Sequence, residues 1–201
     1  MTAPRPYATA GALRAALEAR LHDQSRRDRV DLQRLRRQVA FDRLLARMFD
    51  PTQPGRDDWV LKGGYALEMR YHRARSTKDL DLTVGSRSGA RGGARFPVDA
   101  RLDGRTFARF HVDLGVGDDV LEPLEQVVGE DWLGFAGIPA LSVPALSAEQ
   151  HWAEKLHAYE PPLLERAVTP CQRAAAGSNV IVRREPVAFA RRSRAAVEGL
   201  T

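Results

Sequence analysis

Asp79 and Asp81 are the residues whose types and spacing best suit metal chemistry. They alternate with Leu80 and Leu82, which is the period-2 pattern of a strand with one polar face. Two carboxylates on one face repel each other unless a cation lies between them, and Mg²⁺ favours carboxylates together with substrate phosphates. For an Asp-x-Asp pattern that stands alone, an exposed strand face is the simpler interpretation, so further support is needed.

Two other features fit the same chemistry. Gly63-Gly64 follows the apolar run 59–61 and precedes a helical pattern. Glycines let the backbone approach a ligand closely, and a helix N-terminus offers free N–H groups to phosphate. Asp113 lies in a second alternating segment, with His111 on the same predicted face. A third carboxylate there would complete two-metal coordination or accept the proton of an attacking hydroxyl.

Lysine is rare in this chain and occurs only at positions 62, 78 and 155. Because most of the cations are arginine, a lysine suggests that a compact ammonium group is required. We interpret Lys62 and Lys155 as functional from their positions, whereas Lys78 could serve either role. The alternative is chance retention of lysine on the surface.

Periodicity predicts the elements that must position these residues. Helices are expected over 8–22 with Thr9 as cap, and over 28–49, 65–71 and 148–160. Strands are expected over 59–61, 79–82 and 110–114, with short strand pieces at 96–98 and 105–107. Loops are expected over 51–58 and 85–93, and a turn over 115–119.

The sequence predicts which faces of the second and last helices are apolar. The second helix should bury an apolar face. Its opposite face should be solvated, and the alternative is that it binds RNA phosphates; this face contains Arg34, Arg36, Arg37 and Arg43. The last helix should begin with a capping box in which Ser147 caps and Gln150 reaches back. Its apolar stripe should consist of Trp152, Leu156 and Tyr159.

Composition limits the class of protein. A hydrophobic fraction of 43% in 201 residues supports a real core,. No apolar run approaches the ~20 residues of a membrane span, and residues 1–10 lack the pattern of a signal peptide. Cys171 is the only cysteine, so no internal disulfide can form,. We therefore expect a cytoplasmic protein with no membrane partner. The net charge of +5 is compatible with a nucleic-acid partner,.

The order of the motifs resembles the nucleotidyltransferase superfamily. That pattern is a hydrophobic strand, Gly-Gly or Gly-Ser, a helix-length gap and then two aspartates separated by one apolar residue. Within the superfamily, four segments resemble the AbiEii-type toxins of type IV toxin–antitoxin systems, which include the mycobacterial MenT proteins. These segments are 61–67, 75–82, 110–113 and 153–159.

The resemblance implies an α/β (α+β) nucleotidyltransferase fold, in which helices flank a short mixed sheet. It implies a magnesium-dependent enzyme with Mg²⁺ on Asp79 and Asp81, and it makes Asp113 and Lys155 further catalytic residues. The nucleotide-binding residues it implies are Lys62, Gly63, Gly64, Arg75, Ser76 and Thr77.

The implied reaction is transfer of a nucleotide from an NTP to an acceptor, with release of pyrophosphate. The implied acceptor is the 3′ end of tRNA or another RNA, and the implied partner is a cognate antitoxin. Two alternatives stay open. The acceptor could be a protein or small-molecule hydroxyl, or the chain could be an inactive, truncated toxin remnant or a partner-binding pseudoenzyme.

We predict four regions: an N-terminal helical region at 1–58, the nucleotidyltransferase core at 59–146, the helix with Lys155 at 147–162, and an atypical tail at 163–201. The tail has seven arginines against three glutamates, which is +4 of the total charge of +5. It has no sustained apolar period and departs from the family's pattern, as a frameshifted or truncated gene end would explain. We expect it to be poorly packed or disordered, and the alternative is a helix over 186–200.

Overall fold

The described part of the chain forms a mixed six-stranded sheet with helices packed on it. The computed structural model describes residues 7–52, 58–71, 75–85 and 92–159, with side chains as far as residue 156. The strands are β1 Trp59–Lys62, β2 Asp79–Val84, β3 Gly92–Leu102, β4 Arg105–Val116, β5 Glu125–Val128 and β6 Ser142–Ala145. The helices are α1 Ala10–Asp28, α2 Leu32–Met48, α3 Gly63–Arg70 and α4 Ala148–Tyr159.

The sheet order is β3-β4-β2-β1-β6-β5. Strand β2 runs parallel to β4, and β1 runs parallel to β6, whereas the other neighbours are antiparallel. The predicted short mixed sheet is therefore confirmed. Strands β5 and β6, each four residues long, were not predicted from the sequence.

One face of the sheet carries the apolar core. Leu80 and Leu82 of β2 are fully buried on it, as their alternation predicts. Helix α2 packs Phe41 edge-on against Phe110 of β4 and Tyr65 of α3, with ring centroids 4.7 Å and 4.8 Å apart. Burying such a side chain stabilises the fold by roughly 1.5–3 kcal/mol. Helices α2 and α3 thus pack on this face, and Asp79 and Asp81 lie on the opposite face of β2,.

The two N-terminal helices differ from prediction at their shared boundary. Thr9 caps α1 as expected and accepts from Ala12 N–H at 3.1 Å. The helix continues to Asp28 because the polar segment 22–28 contains neither glycine nor proline to end it,. It ends at Arg29, which has the left-handed φ of 56°.

The arginine-rich face of α2 is not simply solvated. Arg34 lies 3.3 Å from Glu68 of α3, and Arg36 makes a bidentate ion pair with Glu18 of α1. Their side chains are only 20% and 21% exposed. The prediction is wrong for these two arginines, because the carboxylates that pair with them come from other helices.

A long β-hairpin replaces the predicted loop and strand pieces between residues 92 and 116. Asp103 and Gly104 form its turn and both have positive φ, 55° and 66°. An Asp-Gly pair with two such residues makes the tight turn that favours a two-stranded hairpin. Pro97 is tolerated because β3 lies at the edge of the sheet,. Residues 86–91 of the predicted loop lie outside the described residues.

Helix α4 packs differently from its predicted apolar stripe. Trp152 and Leu156 are 54% and 66% exposed, whereas Gln150 and His151 are buried. Ser147 does cap the helix, but Gln150 donates to Asp119 O and accepts from Leu121 N–H instead of reaching back. The stripe prediction is wrong for Trp152 and Leu156, because α4 is anchored through its first turn.

The side chain of Tyr159 and the whole predicted tail, 163–201, lie outside the described residues. None of the helices within the described ranges is long and apolar enough to cross a membrane.

Candidate active site

Four charged side chains form one row across the polar face of the sheet. Lys62 of β1 is opposite Asp81 of β2, Asp81 is in register with Asp113 of β4, and Asp113 is opposite Arg95 of β3. Residues paired in this way project from the same face. The row therefore reads cation, carboxylate, carboxylate, cation, and we call it the charged row.

Asp79 lies beside the charged row, two residues before Asp81 on the same face of β2,. Its carboxylate is 3.4 Å from Nδ1 of His111 and 3.7 Å from a terminal nitrogen of Arg95. Arg95 also donates two hydrogen bonds to Asp113, at 2.7 Å and 2.6 Å. One guanidinium thus links the first aspartate of β2 to the aspartate of β4.

Gly63 lies directly against Asp81, and Gly64 lies against Thr77. Gly63 has φ +70°, and a Cβ placed on it would overlap the carboxylate of Asp81. A Cβ on Gly64 would lie 2.8 Å from Cβ of Thr77. The N–H of Gly64 hydrogen-bonds Asp81. Glycine is therefore required at both positions, because neighbouring atoms lie too close for a side chain. The turn packs on the carboxylate of Asp81, which the sequence analysis assigned to metal binding.

Replacing Gly63 with alanine should destabilise the fold. The left-handed backbone costs a non-glycine residue about 1–2 kcal/mol, and the overlap with Asp81 adds to that cost. Urea unfolding of Gly63→Ala should therefore show a larger loss than Gly104→Ala, whose φ of +66° is equally strained but whose surroundings are open. Gly85→Ala, with neither constraint, should change little. Equal losses for Gly63→Ala and Gly104→Ala would contradict the close approach.

Glu68 fixes the turn that leads into β2. Its side chain is 2% exposed and lies 3.3 Å from Arg34. It accepts from Gln38 Nε2 at 2.8 Å and from the backbone N–H of Thr77. Thr77 in turn donates its hydroxyl to the carbonyl of Asp79 at 3.0 Å. This network ties α2 and α3 to the first aspartate of β2.

The sequence did not single out Glu68, because one glutamate in a helix gives no signal of burial. Of the residues predicted to line the approach, Thr77 and Ser76 are half-buried and Arg75 is exposed.

Lys62 has a carboxylate partner that the sequence did not reveal. Its ammonium lies 2.5 Å from Asp118, which also accepts from the hydroxyl of Thr83 at 2.7 Å. Asp118 lies in the turn after β4, and turn aspartates are common enough to give no functional signal. The ammonium is thereby held beside the charged row.

Lys155 is exposed on α4. One turn earlier, burial together with the charges of Arg70 and Lys155 lowers the pKa of His151 to about 4. The charge of Lys62 acts on the same imidazole in the same direction. Both predicted lysines are therefore close enough to influence one buried histidine, although the two belong to distant parts of the chain.

The carboxylates of the charged row have opposite electrostatic environments. Burial, and then the neighbouring charge of Asp113, raises the pKa of Asp81. The hydrogen bonds from Arg95 lower the pKa of Asp113. Of the two carboxylates in the row, Asp81 thus has less neighbouring positive charge to balance its own negative charge. A bound cation would supply that positive charge.

The donor chemistry of the site fits Mg²⁺, which prefers carboxylate oxygens and keeps sites for phosphate and water. Asp79 and Asp81 share a strand face with Asp113 beside them. Within the described ranges, no group of three or more His, Cys, Asp or Glu side chains is arranged to hold a metal ion by itself. Two carboxylates on one strand face would leave coordination positions for phosphate and water.

A mixed sheet with aspartates on adjacent strands, beside a Gly-Gly turn into a helix, is the arrangement that the sequence predicted for a nucleotidyltransferase fold. Residues 43–94 match the family model described as nucleotidyl transferase AbiEii toxin, type IV TA system. The matched segment contains Gly63, Gly64, Asp79 and Asp81, and ends before Asp113. The predicted resemblance to the AbiEii family is thus confirmed.

The fold is similar to that of MenT4, a nucleotidyltransferase toxin from Mycobacterium tuberculosis H37Rv, with a TM-score of 0.51 and 20% sequence identity. The similarity covers 71% of this chain and 58% of MenT4, so this chain spans less than two thirds of the length of that toxin. The predicted fold class is confirmed by this likeness. No curated protein matches the chain.

Proposed function

We propose that this chain is a nucleotidyltransferase toxin that transfers a nucleotide from an NTP to the 3′ end of tRNA and releases pyrophosphate. The observation that supports this most directly is the contact of Asp81 with the Gly63-Gly64 turn, with Asp79 on the same strand and Asp113 in register with Asp81. The match of residues 43–94 to the AbiEii toxin family supports the reaction class.

In this proposal Asp79 and Asp81 would hold Mg²⁺, which supplies charge neutralisation and phosphate orientation when bound. The hydrogen bonds from Arg95 lower the pKa of Asp113 and so stabilise its ionised form. Both of its oxygens accept from Arg95, so it would accept the proton of the attacking hydroxyl, as the new bond to the α-phosphorus forms, once Arg95 is displaced. The bond from the α-phosphorus to the pyrophosphate oxygen breaks at the same time.

The nucleotide would bind against the Gly63-Gly64 turn, with Thr77, Ser76 and Arg75 lining its approach. Lys155 would provide a point charge for the phosphates. Lys62, held by Asp118 at 2.5 Å, would contribute positive potential beside Asp81.

The proposal includes two features outside the site. A cognate antitoxin would restrain the toxin, in keeping with the type IV system named in the family description. The protein would act in the cytoplasm, where tRNA and NTPs are found.

Transfer of radiolabel tests the proposal. The full chain is incubated with Mg²⁺ and each α-³²P-labelled NTP in turn, with tRNA, total RNA or total protein as acceptor. We expect label in tRNA, and we expect none when the tRNA has first been oxidised with periodate, which destroys its 3′-terminal diol. Label in protein alone would favour the alternative acceptor. No label with any acceptor would favour the inactive remnant.

A further inference from the structure

Arg95 contacts two of the three carboxylates that the proposed function assigns to the site. Its guanidinium donates to both oxygens of Asp113 at 2.7 Å and 2.6 Å and lies 3.7 Å from Asp79. It reaches them from β3, the edge strand of the sheet. This one side chain therefore places a positive charge between carboxylates of β2 and β4.

The contact is not explained by stability alone. The side chain of Arg95 is 59% exposed, and Asp113 and Asp79 are 29% and 35% exposed. Ion pairs this open to solvent contribute little to folding because water screens them. An exposed arginine on an edge strand can also change rotamer without disturbing the core. The position of the charge, and not its contribution to packing, is what distinguishes this residue.

A second pair on the same hairpin shows the contrast. Arg109 of β4 lies 3.7 Å from Asp99 of β3 and is 75% exposed. Neither residue belongs to the charged row. The hairpin therefore has one arginine that engages the candidate cation ligands and another that pairs with an aspartate outside them.

We propose that Arg95 competes with the divalent cation for Asp113 and Asp79, and so weakens binding of the free ion. The guanidinium uses both oxygens of Asp113, so these are not free to bind metal, and its charge repels a dication at short range. A cation that arrives with a triphosphate brings further ligands and can displace the arginine. Arg95 would thus make metal loading depend on nucleotide. This inference rests on the proposed function, in which Asp79 holds the cation. The free ion would also use Asp113, because the carboxylate of Asp113 lies in register with that of Asp81.

Titration of the full chain with Mn²⁺, followed by the loss of the free-ion EPR signal, tests the competition without any activity measurement. We expect Arg95→Gln to bind Mn²⁺ about tenfold more tightly than the wild type, as loss of a directly competing charge implies. The matched control, Arg109→Gln, removes the same charge from the neighbouring strand and should alter affinity by no more than about twofold. Arg95→Lys keeps the charge without the bidentate fork and should fall between wild type and Arg95→Gln.

Three outcomes would contradict the proposed competition. Equal Mn²⁺ affinity of Arg95→Gln and wild type would overturn it, as would equal tightening by Arg109→Gln or no measurable binding in any variant. Circular dichroism of each variant verifies folding, and Arg95→Lys provides a second reading if Arg95→Gln is poorly folded. The radiolabel assay separates this failure from that of the proposed function, because wild-type transfer can persist when the Mn²⁺ affinities are equal.

Discussion

Asp81→Asn is expected to abolish nucleotide transfer without lowering the stability of the fold. Asparagine keeps the shape of the side chain and an oxygen that can accept the N–H of Gly64, but it loses the negative charge that would bind a cation. Removing one preorganised electrostatic partner at a reacting phosphate costs about 100-fold or more in rate. Transfer of α-³²P label by equal amounts of protein measures the loss.

The expected stability of Asp81→Asn follows from the direction in which folding shifts the pKa of Asp81. Burial and Asp113 raise the pKa of Asp81 in the folded chain. An acid with a raised folded pKa reduces stability as the pH rises from its unfolded to its folded pKa, because the unfolded chain releases the proton first. Asparagine cannot ionise, so at neutral pH the variant should be at least as stable as wild type in thermal unfolding.

A control aspartate separates this effect from a general change of charge. Asp99 lies on β3, outside the charged row, and pairs with Arg101 at 3.2 Å. Asp99→Asn should retain most of the transfer activity. Transfer by Asp81→Asn at the wild-type rate would refute the assignment of Asp81, whereas its unfolding would show that the residue serves structure first.

Asp42→Asn is expected to stabilise the protein by roughly 4 kcal/mol at pH 8 and to change stability little at pH 4. Asp42 is 5% exposed within the core beside Tyr65. Burial, offset in part by the hydrogen bond that Tyr65 donates to it, raises the pKa of Asp42 from 3.8 to about 7. About three pKa units at 1.36 kcal/mol each give the magnitude of the effect.

The sign of the pH dependence is fixed by the same shift. Between pH 4 and pH 7 the unfolded chain carries Asp42 ionised while the folded chain keeps it protonated, so wild-type stability falls as the pH rises and levels off above 7. Urea unfolding at several pH values measures this slope, which should be smaller in Asp42→Asn. The exposed Asp28 provides the control, because Asp28→Asn removes the same charge and should keep the wild-type slope. An unchanged slope in Asp42→Asn would show that Asp42 is ionised in the folded state.

Local features of the sequence were enough to predict that Asp79, Asp81 and Gly63-Gly64 belong to the candidate site. The alternation over 79–82 puts Asp79 and Asp81 on one strand face, since the period of a strand is a property of its own backbone. Gly63-Gly64 after a short apolar strand indicates a turn that requires close approach. The roles assigned to these residues, and the boundaries of the four predicted regions, remain predictions.

The failures of prediction came from contacts between distant segments. The apolar stripe of α4 has the correct helical spacing, yet the structure buries Gln150 and His151 because the surface that receives the helix is polar there. Asp118 and Glu68 acquire their partners, Lys62 and Thr77, through the packing of separate elements. The spacing of residues along the chain does not indicate which residue of a distant segment will contact them.

The pairing of Arg95 with Asp113 shows most clearly what only the tertiary structure decided. Counting back from the Asp103-Gly104 turn would put Arg95 opposite Val112, on the register that pairs Leu102 with Arg105. An irregularity between Ala100 and Arg101 shifts the register by one residue, so that Arg95 is opposite Asp113.

A shift of one residue moves every side chain to the other face of the sheet. The sequence determined that a charged strand face and a glycine turn exist. The bulge determined that an arginine lies on that face beside the carboxylates, because register depends on packing across strands and not on the order of residues within one strand.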